Sequence, residues 1–246
     1  MATDEVEQSP FTKPGFIAAA VVVAIVVVLG VVAIVMAVTR DGSPAAAVPT
    51  AAPSATAAPT TRPPSNASAC GLDGVVLSGS LSTAPAAEWA FQGTTAYPTS
   101  TAFGPAETDA DGVRHCFQHS PSGALFAAAN AVVQGSDAGL QEAFARYFIA
   151  TGPGREVAIS NAASGTASTG RTEIVGFRLL NKYEGPTATI DIAVRATANG
   201  QTIYGSGVYP LKWEDGDWKL TVTDTGELQY PFTQIPDLAG YISWGK

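Results

Sequence analysis

The sequence has few of the residues that carry chemistry at active sites and metal sites. Among its 246 residues there are two histidines and two cysteines, and only 14% of the residues are charged. A zinc site needs three or four ligands, and the cluster at 115–119 supplies only the two histidines, His115 and His119, because Cys116 is expected to pair with Cys70. The Gly-x-Ser-x-Gly pattern of hydrolase nucleophiles is also missing. We therefore expect no enzymatic activity, no metal ion and no cofactor.

Charge is absent from residues 16–38. These 23 positions are mostly Val, Ala, Ile and Leu. At about 1.5 Å per residue such a helix spans roughly 35 Å, enough to cross a hydrocarbon core of about 30 Å. The alternative, a cleaved signal peptide, usually has an apolar region of only about 7–15 residues after a basic segment. The run therefore predicts a retained transmembrane helix in contact with the lipid bilayer.

Aromatic residues are absent from residues 39–69. Of the 29 residues at 41–69, 24 are Pro, Ala, Thr or Ser. Such a segment cannot bury enough apolar surface to offset the entropy of ordering it, and its prolines favour extended conformations. We predict a linker over 39–69 and a folded domain over 70–246.

The two cysteines, Cys70 and Cys116, bracket a segment of that domain with few secondary-structure signals. A disulfide between them would hold this segment in place, and we predict that bond. Disulfides persist in oxidising compartments. We therefore expect the domain 70–246 to be extracytoplasmic and residues 1–15 to be cytoplasmic.

The domain is acidic, with 17 Asp and Glu against 10 Lys and Arg from residue 70 onward. Nucleic acids are polyanions, and binding them depends on clustered cations. The charge balance argues against nucleic acid as a partner.

Hydrophobic periodicity indicates an α+β domain. Ser120 is suited to the N-cap and Pro121 to the first position of a helix that ends at Gly135, and a second helix is expected over 136–151. The period then changes from 3.6 to 2 residues, with Asn199-Gly200 as a hairpin turn. Strands are predicted at 172–183, 187–197, 201–213 and 218–222. The expected fold is two helices on a curved four-stranded antiparallel sheet.

This order of elements resembles the NTF2-like fold, a cone-shaped α+β architecture. The stretch from His119 to Asn130 also resembles a family of uncharacterised actinobacterial single-pass membrane proteins associated with integrative and conjugative elements. Trp89, Gly104-Pro105 and the segment 238–241 carry the rest of that resemblance. The family has no established catalytic residues, so the resemblance implies a cellular context and no chemistry.

Four polar residues on neighbouring predicted strands form the first candidate site. They are Arg178, Asp191, Arg195 and Tyr204. They either line a pocket inside the cone or lie on a solvated outer face of the sheet.

Aromatic residues of the C-terminal tail form the second candidate site. They are Tyr230, Phe232, Tyr241 and Trp244. They either complete the core or form an exposed strip for a partner, because aromatic residues dominate binding hot spots.

The sequence therefore predicts a non-enzymatic bitopic membrane protein. Its domain would contact other envelope proteins, in a conjugation or secretion assembly. The alternative is a small-ligand binder or hydrolase that uses the cavity of the cone. A cavity filled by Phe177, Ile192 and Trp218 would argue against that alternative.

Overall fold

The computed structural model describes residues 66–164, 172–198 and 201–246. The predicted cytoplasmic segment 1–15, the predicted transmembrane helix 16–38, the linker as far as residue 65 and the turn Asn199-Gly200 lie outside the described residues. In the part that is described, no helix is long and apolar enough to cross a membrane.

The described residues form three helices and twelve strands in an α+β arrangement. The helices are α1 (Pro121–Gly135), α2 (Gln141–Phe148) and α3 (Arg155–Ala163). The strands are β1 (Ser78–Gly79), β2 (Glu88–Gln92), β3 (Thr95–Thr99), β4 (Glu107–Thr108), β5 (Arg114–His115), β6 (Thr172–Leu180), β7 (Tyr183–Glu184), β8 (Thr187–Ala198), β9 (Gln201–Glu214), β10 (Asp217–Leu220), β11 (Thr233–Ile235) and β12 (Ile242–Ser243).

The main sheet is antiparallel and has the strand order β10-β9-β8-β6-β12, with β11 also paired to β9. Strands β6, β8, β9 and β10 are those that the sequence predicts, in the predicted meander order. A register shift between Ile174 and Gly176 bends β6 against β8. Strands β1 to β5 and β7 form three small two-stranded sheets beside it.

Helix α1 is central to the core. Ser120 caps it as predicted, since its Oγ accepts a hydrogen bond from the Gly123 N–H at 3.0 Å. Twelve of the 15 residues of α1 are buried. The helix packs against β3 on one side and against β6, β8 and β9 on the other. Alternate residues of β8, among them Ile190 and Ile192, face this core and are fully buried.

The prediction of two helices and four strands is wrong in number. Helix α3 was not expected, because only Ala158 and Ile159 among its residues are buried and its apolar pattern is weak. Strands β11 and β12 are three and two residues long. Strands this short show no period in the sequence, and they form here because they pair with distant strands.

Residues 66–69, which the sequence places in the linker, contact the folded domain. Ser68 is buried, and the Ala69 N–H donates to the Gly216 carbonyl at 2.9 Å. The carbonyl of Asn66 lies 3.1 Å from Nδ1 of His119. The folded part of the described chain therefore includes these residues.

Candidate functional site

Asp191 lies at the centre of a buried polar cluster on the sheet. Its Oδ2 accepts hydrogen bonds from Arg178, at 2.5 Å from Nη2, and from the Tyr241 hydroxyl, at 2.8 Å. The Arg178 guanidinium also stacks 4.1 Å from the centroid of the Tyr241 ring. Asp191 is only 1% exposed. The hydrogen bond to Asp191 raises the pKa of Arg178, and burial raises the pKa of Tyr241.

Arg195 belongs to a second, separate pair. It forms an ion pair with Glu173, with Nε 3.1 Å from Oε2, and faces Tyr204 across β8 and β9. The hydrogen bond to Glu173 raises the pKa of Arg195. Asp191 and Arg195 are four positions apart on β8, about 13 Å along a strand. The four predicted pocket residues therefore form two ion-pair clusters and do not converge on one cavity.

The two ion pairs predict different sensitivities to mutation. Asp191→Ala should destabilise the protein by about 1–3 kcal/mol, because it leaves polar groups of Arg178 and Tyr241 without their buried acceptor. Glu173→Ala, in the more exposed pair, should cost less than about 1 kcal/mol. Urea unfolding of both variants measures the difference, and equal losses would contradict this description.

The four aromatic residues of the tail occupy different environments. Tyr230 and Phe232 are 45% and 41% exposed, whereas Trp244 is 5% exposed. Tyr241 lies between them in burial and contacts the Asp191 cluster. The tail therefore contributes Trp244 to the core and leaves Tyr230 and Phe232 at the surface.

Cys70 and Cys116 form a disulfide, with their Cα atoms 6.1 Å apart. The bond joins the entry of the domain to the segment that precedes α1, and the Ser68 hydroxyl lies 3.3 Å from each sulfur. It closes a loop between residues 46 positions apart. A cross-link of this span restricts the unfolded chain strongly.

Reduction of this disulfide should lower the free energy of unfolding by about 2–4 kcal/mol, because the unfolded chain gains conformational entropy. Chemical unfolding with and without reductant measures the effect. The double variant Cys70→Ser, Cys116→Ser is the control and should show no response to reductant. An unchanged unfolding midpoint in the reduced wild-type protein would contradict the expectation.

A cleft of about 460 Å³ opens beside the disulfide. On one wall the rings of His115 and Tyr147 contact each other with their centroids 4.6 Å apart and their planes tilted by 33°. The Lys219 Nζ lies 3.3 Å from the centroid of the Tyr147 ring, and Lys219 is 8% exposed. Burial lowers the pKa of Lys219, and Asp217 opposes this effect. The cleft thus combines a buried cation with an aromatic wall.

Asp217 binds residues that line this cleft. Its carboxylate accepts hydrogen bonds from the N–H groups of Cys116 at 2.8 Å and Phe117 at 2.9 Å. It also accepts from its neighbour Trp218 N–H at 2.9 Å and from the Tyr147 hydroxyl at 2.8 Å. Cys116 has a φ of 71°, a left-handed conformation that costs most residues about 1–2 kcal/mol. Asp217 therefore holds the strained end of the disulfide and one wall of the cleft together.

Burial, with Asp217 as a further cause, raises the pKa of Tyr147.

The sequence prediction did not include this cleft. The sequence indicates His115 only as a possible metal ligand, and it places Tyr147 in the second predicted helix and Lys219 in a predicted strand without a role for either. One signal was present: in Asp217-Trp218-Lys219-Leu220, strand alternation places Lys219 on the face opposite Trp218. The partners of that face come from β5 and α2, far away in the sequence.

Neither histidine belongs to a metal cluster. Across 66–164, 172–198 and 201–246, no group of three or more His, Cys, Asp or Glu side chains is placed to hold a metal ion. His119 instead stacks on Trp213 with centroids 3.9 Å apart, and its Nε2 lies 3.1 Å from the Gly185 carbonyl oxygen.

The fold and the site define an α+β domain with a disulfide beside a small polar cleft. The chain belongs to the family described as a domain of unknown function, DUF8175, which matches residues 48–243. This match includes every helix and strand described above, and it begins within the segment predicted as a linker. No curated protein and no solved structure matches the chain.

Proposed function

We propose that this protein is a single-pass membrane protein whose extracytoplasmic domain makes contacts with other proteins of the cell envelope. It acts without catalysis, in a conjugation or secretion assembly. The apolar run at 16–38 supports the anchor. The disulfide supports an oxidising compartment for the domain.

The proposal of protein contacts rests on one observation: the edge of the domain carries an exposed apolar run. Val75, Val76 and Leu77 are consecutive and are 45%, 46% and 42% exposed. The run is held in place, since the Val76 N–H donates to the His119 carbonyl at 2.9 Å and β1 follows it directly. Contiguous apolar groups at the surface mark interaction sites.

The strand that follows this run favours a partner segment in an extended conformation. No strand is assigned to residues 72–77, and β1, which follows, pairs only with β7 among the described strands. The free edge of a strand such as β1 can accept a strand from another chain, with neighbouring apolar side chains giving specificity. The partner we propose is an envelope protein that presents an extended apolar segment.

We propose the NTF2-like architecture as the finer description of the fold. Two observations support it: helices pack against an antiparallel sheet, and the strand register shifts between Ile174 and Gly176. The interior of this domain is filled, because Phe177, Ile192 and Trp218 are all fully buried. This favours protein contacts over the alternative of a ligand binder or hydrolase with its site inside the cone.

A charged residue in the exposed run should abolish the contacts without unfolding the domain. Val76→Asp places a carboxylate where an apolar partner would pack, at a cost of about 2 kcal/mol or more in binding. Val157→Asp, at a position of α3 that is 41% exposed, is the matched control.

The measurement is co-purification from native membranes. The wild-type protein and Val157→Asp should retain the same partner, and Val76→Asp should lose it. A wild-type protein that remains monomeric and without partners there would contradict the proposal.

A further inference from the structure

We propose that the cleft beside the Cys70–Cys116 disulfide binds a single carboxylate group through the ammonium of Lys219. This goes beyond the proposed function, since the carboxylate can belong to a small organic acid or to an acidic side chain of a protein. It does not depend on the exposed run at Val75–Leu77.

The first argument is that Lys219 is a buried cation without a direct partner. The side chain is 8% exposed, and in the part of the chain that the structure describes its ammonium forms no hydrogen bond and no ion pair. The ammonium instead contacts the Tyr147 ring, a cation–π contact worth about 0.5–2 kcal/mol. A buried charge with so little compensation is costly, and an anion in the cleft would offset that cost.

Two of the carboxylates near Lys219 are engaged elsewhere, and the third, Asp215, forms no ion pair with it among the described residues. Asp217 accepts the four hydrogen bonds described above. Glu214 accepts from the Lys212 ammonium at 2.6 Å and from the Thr151 N–H at 2.8 Å. Their negative charges reduce the energetic cost of burying the Lys219 ammonium. They do not fill the cleft that Lys219 lines.

The second argument concerns the arginines that line the cleft. Arg146 is paired with Glu142 on the same helix, at 2.5 Å. Arg155 donates to the main-chain oxygens of Arg146 and Ile149, which end α2. Their donor groups are therefore largely used, and Lys219 is left as the cation available to a ligand.

The one cation left on this lining then favours a monoanion. Arg146 is already neutralised by Glu142, and Glu107 and Asp215 are two carboxylates on the same lining. Lys219 therefore offers a ligand one positive charge, which matches one negative charge. A doubly charged anion such as hydrogen phosphate would also be repelled by Glu107 and Asp215.

The third argument is the apolar part of the cleft. The adjacent rings of His115 and Tyr147, together with the disulfide, form a wall beside the ammonium. A volume of about 460 Å³ lies within the range of small-molecule sites. An organic carboxylate matches this arrangement, because its charge would meet the ammonium and its apolar face would meet the aromatic wall.

The test measures the reactivity of lysines in the full-length wild-type chain, so that it needs no variant. Acetic anhydride modifies lysine amines, and mass spectrometry gives the rate at each position. Lys212 is the internal control, because it is the cross-strand partner of Lys219 and is already paired with Glu214. Three probes are compared: benzoate, a blocked Ala-Glu-Ala peptide and inorganic phosphate.

We expect benzoate or the blocked peptide to slow modification of Lys219 by about tenfold at a concentration ten times the dissociation constant, because only a tenth of the site stays free. The rate at Lys212 should change less than about twofold. Protection by benzoate alone supports a small organic acid, and protection by the peptide alone supports an acidic side chain. The proposal is overturned if neither carboxylate probe protects, if Lys212 is protected equally, or if phosphate protects as well as the carboxylates do.

Discussion

Asp217→Ala should destabilise the protein by at least about 4 kcal/mol, the largest effect that we expect from a single substitution. The fully buried carboxylate accepts hydrogen bonds from three main-chain N–H groups and from the Tyr147 hydroxyl. Each donor left without an acceptor costs about 1–3 kcal/mol. The left-handed backbone at Cys116 also loses the interaction that holds it.

The matched control for this substitution is Asp224→Ala. It removes the same charge from an exposed turn and should change stability by less than about 0.5 kcal/mol. Urea unfolding followed by tryptophan fluorescence measures both variants. A loss of under about 1 kcal/mol in Asp217→Ala would contradict the role given to this carboxylate.

Trp244→Ala should cost about 3–5 kcal/mol, although the residue is the third from the end of the sequence. Its ring packs edge-on against Trp89 and Phe126, both with centroids at 5.3 Å, and against Phe177 at 5.6 Å. Its indole N–H donates to the Pro85 carbonyl at 3.1 Å. Truncation leaves a cavity among these rings and an acceptor without its donor.

Tyr230→Ala, on the exposed part of the same tail, is the comparison. It should change the free energy of unfolding by less than about 0.5 kcal/mol, because Tyr230 is 45% exposed. Thermal unfolding of both variants is sufficient to distinguish them. If the two substitutions have equal effects, the tail does not close on the domain as described.

The parts of the fold that could be predicted from the sequence are those with local signals. Ser120 and Pro121 mark the start of α1 because capping involves residues within one turn. Strands β6, β8, β9 and β10 are predicted by alternation at period 2, and the change of period separates the helices from the sheet. The α+β class and the meander order follow from these signals alone.

The remaining parts depend on contacts that no local pattern encodes. The hydrogen bond from Cys116 to Asp217 joins residues 101 positions apart. Strand β12 exists because it lies against Phe177 and Gly176, and its own two residues carry no strand pattern. The cleft is assembled from β5, α2 and β10, so that its residues look ordinary one at a time.

The candidate pocket illustrates the same limit. Alternation correctly places Asp191, Arg195 and Arg178 on the same face of neighbouring strands. Whether such residues meet depends on their partners. Glu173 pairs with Arg195, whereas Tyr241 arrives from the tail to complete the cluster at Asp191. These partners could not be assigned before the register was known.

Site-specific photo-crosslinking in native membranes tests the central claim, protein contacts through the exposed run, most directly. A photoreactive amino acid is placed at Leu77 and, as the control, at Val157, which are 42% and 41% exposed. We predict that position 77 gives one discrete cross-link to another envelope protein, lost in the Val76→Asp background, and that position 157 gives none. No cross-link from position 77, or the same cross-link from position 157, would contradict the claim.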